Sequence, residues 1–259
     1  MAYREDEPEP EGITRRQLMK GVMVAGAGLV AGSLVASGTS LFPPPLRLQG
    51  ELKETFVYTA TTPSPGETIW WNHLAGREAR TVDLPLWQGA APVWRGLFDE
   101  EGGLIPGSGL TALLIRVAGD RRFKVPEEFE EHVVHLDDGN VLVGLYDRCV
   151  HLCCNPGWHV KPVPEAYKDY RTNPKTLLYG EDPIWCQCHN SQYDPMSLEW
   201  NTHPNGQEYI GAKFVHGPAS RGLPAIPLRL QGDGETLVGD SEAVVGGTNV
   251  MGWYTSFCR

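Results

Sequence analysis

Positive charge is in short supply in this chain. Its 22 Lys and Arg face 32 Asp and Glu over 259 residues, a formal net charge of −10 at pH 7. No basic stripe offsets that deficit, which argues against nucleic acid as a partner and suits a head that meets a positively charged protein. Internal repeats are absent, so a repeat array is set aside. Long soluble helices are disfavoured too, because 30 Gly and 21 Pro punctuate the chain with turns. What remains is a globular composition, 41% hydrophobic and 21% charged. At this length it makes one ordinary domain plus an appendage, or two small domains.

The appendage is at the amino terminus, in residues 1–50. Residues 4–11 are too acidic and proline-rich to pack and are expected to be disordered. Thr14-Arg15-Arg16-Gln17-Leu18-Met19-Lys20 resembles a twin-arginine export signal, closing a first segment, 1–20. From Gly21 to Phe42 no residue is charged. A helix of that length is about 33 Å long, enough for a hydrocarbon core of about 30 Å. With Arg15, Arg16 and Lys20 before it, residues 21–42 are expected to anchor the chain with its N-terminus inside and the rest outside. Cleavage near Val35-Ala36-Ser37-Gly38 is the alternative. Gly28 and Gly32, or Ala27 and Ala31, give this helix a small-residue face for a partner helix. Pro43-Pro44-Pro45 then opens a semi-rigid tether, 43–50.

Beyond the tether the chain reads as all-β. Thr55–Thr59 and Ala112–Val117 have the β-branched and aromatic content of strands. Between them a segment rich in Pro, Gly and Trp is expected to be loops with short strands. His132–Leu136 and Val141–Tyr146 flank Asp137-Asp138-Gly139-Asn140, a hairpin signal, and the second of these strands leads directly to Cys149. Ala225–Gln231 and Thr236–Gly239 are expected to form a closing hairpin. Tyr167–Tyr170 suggests a short helix within a long polar insertion, and the tail to Cys258 has no assignment.

Chemistry concentrates in two runs, Cys149-Val150-His151-Leu152-Cys153-Cys154 and Cys186-Gln187-Cys188-His189-Asn190-Ser191. Each has a cysteine and a histidine at close spacing, C-x-H in the first and C-x-x-H in the second. Two thiolates and two imidazoles split evenly between two loops suit a pair of metal ions. A single Cys₂His₂ zinc site is the alternative from these four residues alone.

The two runs, with Ser191-Gln192-Tyr193 after the second and Gly217-Pro218-Ala219 further on, resemble the Rieske family in its disulfide-containing respiratory branch. The resemblance is strong at the runs and weak elsewhere, over roughly residues 110–240. It implies an antiparallel β-sandwich base (51–148 and 218–259) with an inserted cluster-binding subdomain (149–217). It implies one [2Fe–2S] cluster held by Cys149, His151, Cys186 and His189, histidines replacing cysteines on one iron. It further implies a Cys154–Cys188 disulfide, hydroxyl donors at Ser191 and Tyr193 that raise the potential, and a shielding loop at Gly217-Pro218-Ala219. Cys153 and Asn190 depart from it, standing where the family has glycine.

The activity implied is that of an electron-transfer subunit in a quinol-oxidising cytochrome bc-type complex. Such a subunit takes an electron and a proton from quinol, with His189 as the group facing the quinol. It passes the electron to a cytochrome c-like or copper acceptor. The implied partners are a cytochrome b-type membrane subunit, that acceptor, quinol and the membrane itself, with the cluster domain on the extracytoplasmic side of the plasma membrane. The small Rieske subunit of an arsenite oxidase-type molybdoenzyme is a second reading, and a membrane-tethered structural zinc domain a third.

Overall fold

Two apolar runs make the centre of the molecule, Leu110–Ala118 and Asn140–Tyr146, buried along most of their length. They pair antiparallel in continuous register from Ala112 opposite Tyr146 to Ala118 opposite Asn140. Strands this apolar need cover on both faces, and the rest of the head provides it. The structure, a computed structural model, describes residues 50–63, 68–157 and 184–257. The export signal, the residues 21–42 anchor, nearly all of the tether, the Tyr167–Tyr170 helix and Cys258 lie outside them. Among the described residues no helix is long and apolar enough to cross a membrane.

In chain order the strands are β1 (Glu51–Leu52), β2 (Phe56–Val57), β3 (Gly89–Ala90), β4 (Val93–Trp94), β5 (Leu97–Phe98), β6 (Leu110–Ala118), β7 (Val134–His135) and β8 (Asn140–Tyr146). They continue as β9 (Ile184–Cys186), β10 (Ser191–Thr202), β11 (Glu208–His216), β12 (Leu223–Ile226), β13 (Leu228–Leu230), β14 (Leu237–Gly239), β15 (Val244–Val245) and β16 (Thr248–Asn249). One α-helix is described, α1 (Val250–Ser256), capped by the Asn249 side chain, which accepts the Met251 N–H. Ten strands form one sheet, in the path β2-β4-β6-β8-β12-β11-β10-β9, with β3 added to β6 and β7 to β8. All strand pairs, here and in three further two-stranded ribbons, are antiparallel. The all-β expectation therefore holds at the level of class.

Local differences from expectation have physical causes. His132 ends a 3₁₀ turn, Glu127–His132, in place of opening a strand. Strand β7 begins two residues later and pairs with β8 across the predicted turn, where Gly139 has φ +79°. The closing hairpin is present as β13–β14 but forms its own ribbon. Ala225 and Ile226, expected in the first strand of that hairpin, instead belong to β12, which joins the main sheet between β8 and β11.

Aromatic packing ties the C-terminal helix to the base. Tyr254 meets Trp94 and Tyr146 edge-on, with ring centroids 5.3 and 5.1 Å away, and its hydroxyl donates to the Ala225 carbonyl at 2.8 Å. Such edge contacts add to the burial of the rings themselves. A glycine is needed at 239 because any Cβ there would collide with the Trp94 indole.

Candidate metal centre

Both cysteine–histidine runs sit at the ends of strands of the main sheet. β8 delivers the chain to Cys149 through Asp147 and Arg148. β9 ends on Cys186 and β10 begins at Ser191. Each run folds into the same turn. In the first, the Cys153 N–H donates to the Cys149 carbonyl at 2.9 Å; in the second, the Asn190 N–H donates to the Cys186 carbonyl at 2.9 Å. The closing residue of each turn takes a left-handed φ, +67° at Cys153 and +63° at Asn190. These are the two places where glycine is the cheap residue. Asn190 is further held by its side-chain oxygen, which accepts the Trp185 indole N–H at 2.5 Å.

The turns bring the four candidate ligands together in pairs. Cys149 and Cys186 are free, buried thiols joined by a sulfur–sulfur hydrogen bond. His151 and His189 stand edge to face with ring centroids 4.8 Å apart. His189 is exposed and His151 half-buried, yet the Nδ1 of His151 is buried with no hydrogen-bond partner. A buried imidazole nitrogen is costly to leave unsatisfied. Two sulfurs turned inward, with an orphaned imidazole nitrogen beside a second ring, suit a metal group held by both loops. The donor set, two thiolates and two imidazoles, fits a Rieske-type cluster as well as a single zinc ion.

Hydrogen bonds converge on one of the two sulfurs. Sγ of Cys149 lies 3.2 Å from the Tyr193 hydroxyl. It accepts hydrogen bonds from the Cys186 thiol, Tyr193, the backbone N–H of His151 and the Ser191 hydroxyl, and the first of these does most to pull the Cys149 thiol below its usual range, against its burial. Holding a proton for that bond pushes Cys186 up, with burial in the same direction. Tyr193, fully buried, is driven upward first by burial and then by the facing Cys149 sulfur, so it remains a donor.

Cys154 and Cys188 form a disulfide that joins the two turns. Sγ of Cys186 lies within 4.8 Å of both bridge sulfurs. That trio is no metal site of its own, since two of its sulfurs are bonded to each other. The loop at 217–219 closes over the second turn: the Ala219 N–H donates to Ser191 Oγ at 3.1 Å. Gly217, at φ +100°, lies so near Asn190 and Ser191 that a Cβ would strike their backbone.

Sequence reasoning missed the frame around the turns. Asp147 is fully buried, accepts the Gly157 N–H at 2.8 Å, and is raised by burial to about 6. Arg148 donates to the Cys153 carbonyl at 3.2 Å. Asp194, on the strand that leaves the second turn, accepts the Met196 N–H at 2.9 Å and is raised by burial to about 7, with Lys213 lowering it and Glu199 raising it. An acidic residue two positions before the first ligand run and another three positions after the second were the available signal. No protein-family model matches this chain, and no curated protein does either.

Proposed function

We propose that this chain is a Rieske-type iron–sulfur electron carrier, acting in a quinol-oxidising cytochrome bc-type complex. The observation that carries the reading is that the same two turns pair the buried Cys149 and Cys186 sulfurs and pair the His151 and His189 rings, with the His151 Nδ1 left without a partner. In this reading Cys149, Cys186, His151 and His189 hold a [2Fe–2S] cluster. When bound, such a cluster supplies a one-electron couple in a range of about −150 to +300 mV. Ser191 and Tyr193 direct their hydroxyls at the Cys149 sulfur, which favours extra negative charge there and raises the potential. His189, the more exposed imidazole, offers its far nitrogen to the quinol as hydrogen-bond and proton acceptor. The disulfide and the 217–219 loop limit solvent access to the ligands.

The same reading makes residues 14–20 an export signal and 21–42 a membrane anchor, with the head on the extracytoplasmic side. Its partners are then a cytochrome b-type subunit and a cytochrome c-like or copper acceptor. Metal analysis of the purified chain tests the core of it. About two irons and two acid-labile sulfides per chain are expected, with visible colour and a paramagnetic signal on reduction. A colourless protein with one zinc ion overturns it. Co-purification from the native membrane then separates a b-type haem partner, as proposed, from a molybdopterin subunit, which would replace the quinol reading.

A further inference from the structure

Each ligand turn is closed a second time, by a side chain that reaches around both of its candidate ligands. In the first turn Arg148, the residue before Cys149, donates a guanidinium N–H to the Cys153 carbonyl at 3.2 Å. In the second turn Trp185, the residue before Cys186, donates its indole N–H at 2.5 Å to the side chain of Asn190, the residue after His189. The two brackets join the same positions of their turns and differ in the acceptor. The first uses a backbone carbonyl, which any residue supplies. The second uses the Asn190 side-chain oxygen, which glycine lacks.

That second bracket is anchored on the sheet. Trp185 on β9 and Gln192 on β10 are register partners, and the Gln192 side-chain amide donates to the same Asn190 oxygen at 3.3 Å. Asn190 is thus gripped from both strands that carry the turn, while Gly217 lies against its backbone carbonyl. His189 is the residue that gains. Cys186 is buried and held by its surroundings. The His189 ring is exposed, so packing gives it little direction beyond the edge-to-face contact with His151.

We propose that Asn190 is a positioning residue for His189: the Trp185–Asn190–Gln192 clamp fixes the end of the second turn and keeps the exposed imidazole directed at the metal group. The inference rests on the reading of His189 as a metal ligand. It explains why the chain holds Asn where glycine is the cheap residue. Asn tolerates the left-handed φ that the turn demands, and it brings to that position the acceptor that the clamp needs.

Metal release to a chelator from the purified full-length protein tests the clamp, whichever metal it holds. Asn190→Gly keeps the backbone conformation and removes the acceptor; Trp185→Phe keeps a ring and removes the donor. Each should release metal about tenfold faster than wild type, as loss of a group that orients a ligand does. The double variant should be no faster than Asn190→Gly alone, since both break one bond. Asn190→Asp, which restores an acceptor, should return the rate to near that of wild type. An Asn190→Gly protein as slow as wild type overturns the proposal, as do single effects that multiply in the double variant. In the reduced, iron-loaded protein, pulsed EPR reads the nitrogen couplings of the two ligand imidazoles. Asn190→Gly should broaden one and leave the other, because only His189 follows the clamp. Couplings both unchanged, or both changed alike, overturn the role at His189. A count of one zinc and no iron defeats the electron-carrier reading, and the release rates then still decide the clamp.

Discussion

The two ligand turns share a backbone and differ in what surrounds it. Each closes with a hydrogen bond from the fourth residue after its cysteine, each ends in a left-handed residue, and each buries its cysteine. Each also adjoins a buried aspartate that accepts a backbone N–H, Asp147 before the first and Asp194 after the second. The asymmetry is in polarity. The hydroxyls of Ser191 and Tyr193, both from the second turn and its strand, point at the Cys149 sulfur of the first. The more exposed histidine belongs to the second turn. One turn thus receives stabilised negative charge while the other faces solvent. A shared fold with an unequal setting is how two like loops come to do different jobs.

The most severe test of the likeness is to remove either sulfur. On the proposed reading, Cys149→Ser and Cys186→Ser should each abolish cluster binding, read as loss of iron and of visible absorbance. Retention in one and not the other would break the equivalence of the turns. Next in size is the link between them. Cys154→Ser or Cys188→Ser opens a bridge with a sequence separation of 34, a loss of about 3–4 kcal/mol on the loop-entropy model. Chemical denaturation should show both variants equally destabilised, since each breaks the same bond.

The buried aspartates give a pH signature. Asp194 has a folded pKa raised to about 7 from 3.8. Its neutral form is favoured in the folded state, so its contribution is complete below the unfolded value and is lost as pH rises through about 7. Replacing it with Asn should flatten the fall in stability between about pH 4 and 7 by up to a few kcal/mol. An unchanged slope in denaturation midpoints would show that Asp194 is not the group responsible.

Smaller effects sharpen the polarity. Tyr193→Phe removes one donor from the Cys149 sulfur at 3.2 Å. A hydrogen bond to a charged acceptor is worth about 1.5–3 kcal/mol, and about 1.4 kcal/mol corresponds to 59 mV for one electron. Because part of that bond survives oxidation, the midpoint potential should drop by some tens of millivolts with the cluster retained. Equal potentials in redox titration would remove the donor role. Smallest of all, Asn190→Ala should cost about 1 kcal/mol, from its left-handed φ and the lost Trp185 bond. Asn190→Gly should cost less, because it retains the backbone freedom that the turn uses.

How much of this was legible in the sequence depends on range. The cysteine–histidine spacing is local, and it located both turns. Cys153 and Asn190, singled out only because they are not glycine, turned out to carry the positive φ that glycine would have. The hairpin across Asp137-Asp138-Gly139-Asn140 followed from turn chemistry. The long β10–β11 hairpin was not anticipated, because its register shifts at Gln192–Tyr193 and between Asp194 and Leu198. Those bulges break the alternation by which strands are recognised. The helix Val250–Ser256 is short and draws its stability from Trp253 and Tyr254 packed into a core made by distant strands. Propensity over seven residues gives little hint of that.

The unbroken hydrogen-bonded path from β2 across to β9 has a mechanical consequence. Strands that hold the sulfurs are laced by hydrogen bonds, through the central β6–β8 pair, to β2 near the start of the head. Any travel by the ligand tip must then carry its whole foundation along, like a spanner turned from its handle. On the proposed reading, a pivot would be sought upstream of β2 and not beneath the two cysteine–histidine turns.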